Sequence, residues 1–321
     1  MLVNGKWTAD WHPVQAKDGE GRFIRQQSSF RNWITADGAP GPTGTGGFKA
    51  EAGRYRLYVA LICPWASRTL IARKLKGLED LIAVTVVNPV LTGQGWAFGG
   101  YPGADADPLH GAAHLHKLYT HADDHYTGRA TVPVLWDEHT DTIVSNESAD
   151  IVRMFNTAFA DLVPGKPELY PADLATDIDA LNAEVYDRLN NGVYKAGFAS
   201  SQDAYEEAAE GVFQMLDRLE ERLTGDWLFG PRFTEADIRL FVTLIRFDAA
   251  YHGLFKTNRR RIADYPRLSA YMARVLRLPG VRKTVNLDHI KAGYYSIKAL
   301  NPSGIVPIGP DHVIQLLGSD K

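Results

Sequence analysis

Hydrophobic residues change their spacing once along this chain of 321 residues, between residues 157 and 172. Before that point, apolar runs of strand length alternate with helical ones. After it, apolar residues recur every three or four positions to about residue 290. The expected architecture is a small α/β domain followed by an all-helical domain. The boundary itself, with Pro164, Gly165, Pro167 and Pro171, reads as a linker.

Residues 1–53 read as an amino-terminal arm, because the Gly- and Pro-rich stretch 35–47 breaks both regular periods. From residue 54 to 156 the predicted order is β-α-β, an irregular insertion at about 88–129, then β-β-α. Tyr55–Ile62 reads as a buried strand, and Ala66–Leu75 as a helix with Leu70, Ile71 and Leu75 on one face. Ile82–Val87 is β-branched and strand-like. Val132–Trp136 and Thr142–Ser145 read as a hairpin, with a helix from about Glu147 to Phe155. The helical domain spans 173–300. Thr234 and Asp237 resemble a capping box at the start of one of its helices. Residues 301–321, punctuated by Pro and Gly, read as an extended tail.

Composition excludes several functions. The net charge of −3 leaves no electrostatic footprint for nucleic acid or an anionic membrane. No apolar run approaches the ~20 residues of a membrane span, and the first residues have no apolar core of a secretory signal. A single cysteine in the whole chain rules out an internal disulfide framework and points to the cytoplasm.

That cysteine, Cys63, sits between the first strand and the first helix, followed by Pro64. A helix start favours negative charge on sulfur, and proline suits the first helical position. Against this stands the ordinary role of a lone cysteine as an inert buried residue. Position 66 is alanine, so no second thiol resolves a mixed disulfide on Cys63. An external thiol must do so, and glutathione is the abundant cytosolic candidate. Val132-Pro133 at the head of the third strand would expose backbone to an extended peptide. Glu147-Ser148, at the start of the next helix, suits the γ-glutamyl end of glutathione, though simple capping explains the pair equally well. Five histidines, at 110, 114, 116, 121 and 125, lie in the insertion. Their spacing matches no standard ligand pattern, so a solvated loop and no metal are expected. Trp96 and Phe98 are better candidates for lining a pocket.

Several runs together resemble the glutathionyl-hydroquinone reductases, the xi class of the glutathione transferases. They are Cys63-Pro-Trp-Ala66, Gly95-Trp-Ala-Phe98, the run from Gly128 to Asp137, and Ser145-Asn-Glu-Ser148. In the helical half they are Asn190 to Phe198, Tyr251 to Phe255, Asp264 to Ile290 and Asn301 to Pro307. The resemblance covers nearly the whole chain. It implies a thioredoxin-like amino-terminal domain, a glutathione-transferase helical domain, a homodimer, and glutathione as co-substrate with no metal. It implies Cys63 as nucleophile, and Trp96, Arg129, Val132, Glu147 and Ser148 as glutathione-binding positions. Tyr194, Tyr251 and Tyr295 are implied near the hydroquinone, with Tyr194 and Tyr295 catalytic. Of the adjacent pair, Tyr295 is favoured over Tyr294. The implied reaction is reduction of glutathionyl-hydroquinones through a Cys63–glutathione disulfide that a second glutathione resolves. The alternatives are an omega-like thiol transferase or dehydroascorbate reductase and, in another class, a non-catalytic binding or assembly module of the same fold.

Overall fold

The computed structural model describes residues 1–8 and 16–318. Residues 9–15 of the expected arm and 319–321 of the expected tail lie outside the described residues. The described chain divides into two compact units, residues 1–8 with 26–167, and residues 16–25 with 168–318. The arm is therefore shared. Its segment 16–25 belongs with the helices and the rest with the sheet.

The first unit is built on a four-stranded sheet of β1 (Tyr55–Val59), β2 (Ile82–Val86), β3 (Val134–Asp137) and β4 (Thr142–Ser145), in the order β2-β1-β3-β4. β1 and β2 are parallel, while β1–β3 and β3–β4 are antiparallel. Helix α1 (Pro64–Leu75) is the crossover between β1 and β2, and it packs against α3 (Ser148–Thr157). The order is the one the spacing predicts, and its arrangement is the thioredoxin-like one that the resemblance implies. Tyr55, Leu57, Tyr58 and Val59 are all buried, as expected of a central strand.

Pro64 opens α1 and Gly77 closes it. Gly77 takes a left-handed φ of 65°, and Leu78 N–H then reaches back to Arg73 O at 2.9 Å. The β3–β4 turn is fixed by Asp137. Its fully buried carboxylate takes two hydrogen bonds from Arg54, at 2.8 and 2.7 Å, and one from Thr140 at 2.6 Å.

The insertion is less irregular than expected. It contains helix α2 (His116–Ala122), whose period is masked in the sequence by Lys117, Thr120 and two histidines around the buried Leu118 and Tyr119. It is tied to the sheet where Tyr58 Oη donates to Asp107 at 3.0 Å. Residues 34–35 and 48–49 of the arm form a small parallel pair of their own.

The second unit is helical. Its principal helices are Ala175–Val185, Gln202–Arg222, Glu235–Arg246, Pro266–Leu276 and Leu287–Tyr295. Glu235–Arg246 is buried on every side, so it forms the unit's core. The predicted capping box at Thr234 and Asp237 is present, with Thr234 N–H donating to Asp237 at 2.8 Å. Wider π turns, Tyr186–Asn190 and Phe247–Tyr251, extend two of the helices. The tail is not wholly extended. Pro and Gly punctuation ends at Pro310, and Asp311–Gly318 is a helix anchored by His312 Nε2 on Asp248 at 2.8 Å. Among the described residues no helix is long and apolar enough to cross a membrane.

Candidate active site

Cys63 is the N-cap of α1, with extended backbone at φ −74° and ψ 121°. Extended backbone here follows from Pro64, which disfavours the helical region for the residue before it. The thiol is half-buried, and it donates to the carbonyl oxygen of Val132 at 3.5 Å. Sheet register accounts for the meeting. β3 runs antiparallel to β1, and its first residue, Val134, pairs with Tyr58, so residues 132–133 lie at the end of β1 from which Cys63 emerges. The Val132–Pro133 peptide is cis.

The same register brings in the start of α3, because Leu135 of β3 pairs with Ser145 at the end of β4. Glu147 caps α3, accepting from Ala149 N–H at 3.0 Å. Its other carboxylate oxygen accepts from Ser28 Oγ of the arm at 2.9 Å. Ser148 is buried at the first helical position. Asp150 pairs with Arg31, and its burial still holds its carboxyl above the usual range.

Tyr119 of α2 links two of these segments. Its buried hydroxyl donates to Thr131 O at 2.8 Å and accepts from Asn146 Nδ2 at 3.1 Å. Arg129 is held through its backbone, with its N–H donating to Gln26 Oε1 at 3.1 Å and its carbonyl accepting from Tyr126 Oη at 3.0 Å. Neighbouring Gly128 has φ 153°, and a Cβ there would lie 2.6 Å from Gln26 and 2.7 Å from Tyr126. Trp96 sits on a loop strapped to the segment before α2, where its carbonyl accepts from Leu115 N–H at 2.9 Å. Beside it, Gln94 meets the buried His116 ring, which stacks on Trp7 at 4.6 Å between centroids. Burial pushes His116 down to about 4.

In the helical unit three tyrosine hydroxyls form a chain. Tyr294 Oη lies 2.6 Å from Tyr194 Oη and 2.8 Å from Tyr251 Oη. Burial raises both Tyr251 and Tyr294 well above the ordinary phenol range, so both are neutral donors at neutral pH. Arg25, from the arm, lies over the Tyr194 ring at 4.8 Å and donates to Asn191 Oδ1 at 2.7 Å.

Profiles of the glutathione S-transferase N-terminal and C-terminal domains match residues 62–158 and 202–274. The chain is 55% identical to the glutathionyl-hydroquinone reductase YqjG of Escherichia coli, over 97% of this chain and 95% of that one. It is 49% identical to the glutathionyl-hydroquinone reductase PcpF of Sphingobium chlorophenolicum, over 97% and 96%. The glutathione-bound structure of YqjG superposes with a TM-score of 0.89 at 53% identity, covering 97% of this chain and 95% of that one. The chain belongs to the glutathionyl-hydroquinone reductases. The family lies in the xi class of glutathione transferases, one of whose solved members, from Phanerochaete chrysosporium, has a TM-score of 0.87 to this chain at 50% identity, covering 92% of this chain and 97% of that one.

For a glutathionyl-hydroquinone reductase, the sequence-derived residues fall into two groups. Cys63 and Val132 touch, and Glu147 and Ser148 share their end of the sheet. Tyr194 and Tyr251 share the hydroxyl chain. The third member of that chain is the buried Tyr294, while Tyr295, the residue favoured near the hydroquinone, stays half-exposed outside it. Tyr294 follows the buried Ile290 by one helical turn, whereas Tyr295 follows the half-exposed Lys291, and its hydroxyl lies beside Gly253 instead. Sequence reasoning missed Tyr119, Ser28 and Arg25. An aromatic residue in the insertion was the only signal for the first, and an arm without periodicity gave none for the others.

Proposed function

We propose that this chain reduces glutathionyl-hydroquinones to hydroquinones, with glutathione as co-substrate and Cys63 as nucleophile. The observation that carries the reading is the placement of Cys63, the chain's single cysteine, at the N-cap of α1 against Val132. Charge developing on sulfur there is favoured by the positive helix end. The thiolate attacks the sulfur of the conjugate. The S–S bond to Cys63 forms as the sulfur–ring bond breaks, and the departing ring carbon takes up one proton. The aromatic product is the hydroquinone, and the tyrosine hydroxyls are the proposed proton source. The thiolate of a second glutathione then attacks the mixed disulfide. It leaves as oxidised glutathione and returns Cys63 as thiolate. Ala66 offers no internal thiol to compete for that step.

In this reading Trp96, Arg129, Val132, Glu147 and Ser148 hold glutathione. The protein is a cytoplasmic homodimer. An omega-like thiol transferase is the second reading. It is favoured by one relative in Schizosaccharomyces pombe, 45% identical over 94% of this chain, named glutathione S-transferase omega-like 2.

Purified protein given glutathionyl-benzohydroquinone and glutathione should release benzohydroquinone and oxidised glutathione. With free glutathione withheld, intact mass should show one glutathione added per chain. A Cys63→Ser variant that still turns over the conjugate, or faster turnover of dehydroascorbate than of the conjugate, would overturn the proposal.

A further inference from the structure

The insertion's histidines do not form a ligand set among themselves, but folding brings two of them to a third residue from outside it. His110 precedes α2 and His121 lies in its last turn. Asp141 stands in the β3–β4 turn. His110 Nε2 lies 2.8 Å from Asp141 Oδ1, and His121 Nε2 lies 2.7 Å from Asp141 Oδ2. One atom from each of the three falls within 4.8 Å of the others. The rings pack against the buried indole of Trp136, at 5.2 and 5.9 Å between centroids. The side chains of His121 and Asp141 are 44% and 50% exposed, so the site opens to solvent.

We infer that His110, His121 and Asp141 bind a divalent transition-metal ion of the zinc type, separate from the reaction at Cys63. Two imidazole nitrogens and one carboxylate, with remaining positions left to water, are a donor set suited to Zn²⁺, Co²⁺ or Ni²⁺ rather than to Mg²⁺ or Ca²⁺. His110 supplies a second, independent observation. Its other nitrogen, Nδ1, faces the buried carboxylate of Asp107 at 3.7 Å. A neutral imidazole has one N–H, yet both of its nitrogens face carboxylates. An ion on Nε2 would leave Nδ1–H facing Asp107, the carboxylate–histidine–metal arrangement. Asp107 is itself fixed by Tyr58 Oη and by the backbone N–H groups of Leu109, His110 and Ala112.

Metal–ligand bonds of about 2.0–2.1 Å put tetrahedral ligand atoms about 3.3 Å apart. The half-exposed Asp141 carboxylate, on a surface turn and 2.7–2.8 Å from both rings, must withdraw by about half an ångström. The bound ion would join the insertion, α2 and the hairpin. α2 carries Tyr119 two residues before His121, so binding also stiffens the link between Thr131 and Asn146.

The test uses tag-free full-length protein stripped with a chelator and titrated with Co²⁺. One equivalent should produce the visible ligand-field bands of low-coordinate Co²⁺, displaced by Zn²⁺, with no thiolate charge-transfer band. Zn²⁺ should raise the melting temperature. His121→Ala and Asp141→Asn should each abolish both effects while leaving turnover and the far-UV spectrum unchanged. Asp107→Asn should weaken binding about 10–100-fold. Equal binding by wild type and both ligand variants, no binding at all, or a thiolate band that assigns the ion to Cys63 would each overturn the inference.

Discussion

The hydroxyl of Tyr119 donates to the carbonyl oxygen of Thr131 at 2.8 Å, and the same oxygen accepts from Asn146. One atom in the insertion thus sets the spacing between the segment before β3 and the segment before α3. Tyr119→Phe keeps the ring and removes that atom, leaving a buried amide donor unpaired at a cost of about 1–3 kcal/mol. The expected kinetic result is a rise in KM for glutathione of up to about tenfold with kcat nearly unchanged. Steady-state kinetics at varied glutathione checks it, and an unchanged KM would remove Tyr119 from the site's support.

The hydroxyl chain predicts an asymmetry between adjacent residues. Tyr294→Phe interrupts the contact between Tyr194 and Tyr251, and turnover should fall by on the order of 10²-fold, the lower range for loss of general acid catalysis. Tyr295→Phe should be far milder. Single-turnover release of hydroquinone separates the two, and equal losses would contradict the assignment of Tyr294.

Arg54 and Asp137 form a buried bidentate pair at the base of the β3–β4 turn. Arg54→Met strands a buried carboxylate and should cost about 3–5 kcal/mol, measured by urea unfolding. Burial raises the Asp137 carboxyl, but hydrogen bonds from Arg54, Thr140 and the His139 amide outweigh it and hold the group below the usual range. The pair's contribution is therefore complete above about pH 4, the unfolded value, and is lost as pH falls through the folded value. The acid limb of the stability curve should flatten in the variant.

His116 gives a second pH window. Its folded value of about 4 lies below the ordinary 6.5, so the unfolded chain binds the proton more readily. Stability should be unaffected above about pH 6.5 and should decline as pH falls from there toward 4, by roughly 3 kcal/mol in all. His116→Gln should remove that slope from denaturant melts at pH 4.5–7.

The strands, α1 and the capped core helix were legible because each has an unbroken period or a local signal, such as Pro64 after Cys63 or Thr234 before Asp237. Boundaries moved by two or three residues, as when Tyr55–Ile62 shortened to Tyr55–Val59. What the sequence could not show depends on contacts between distant segments. Asp141 completes a cluster with His110 from 31 positions away, and Ser28 reaches Glu147 across 119. No local spacing encodes either meeting. Which of Tyr294 and Tyr295 joins the hydroxyl chain turned on which of two neighbours shared a helix face with Ile290, a question that needs the helix's actual orientation.

The chain visits the helical unit with residues 16–25, leaves it for the sheet, and returns after residue 167. A shortened gene starting at Arg54 would therefore not merely shed an appendage. It would take Arg25 from Tyr194 and Ser28 from Glu147 in one cut, so a single deletion at the front of the chain reaches into both units.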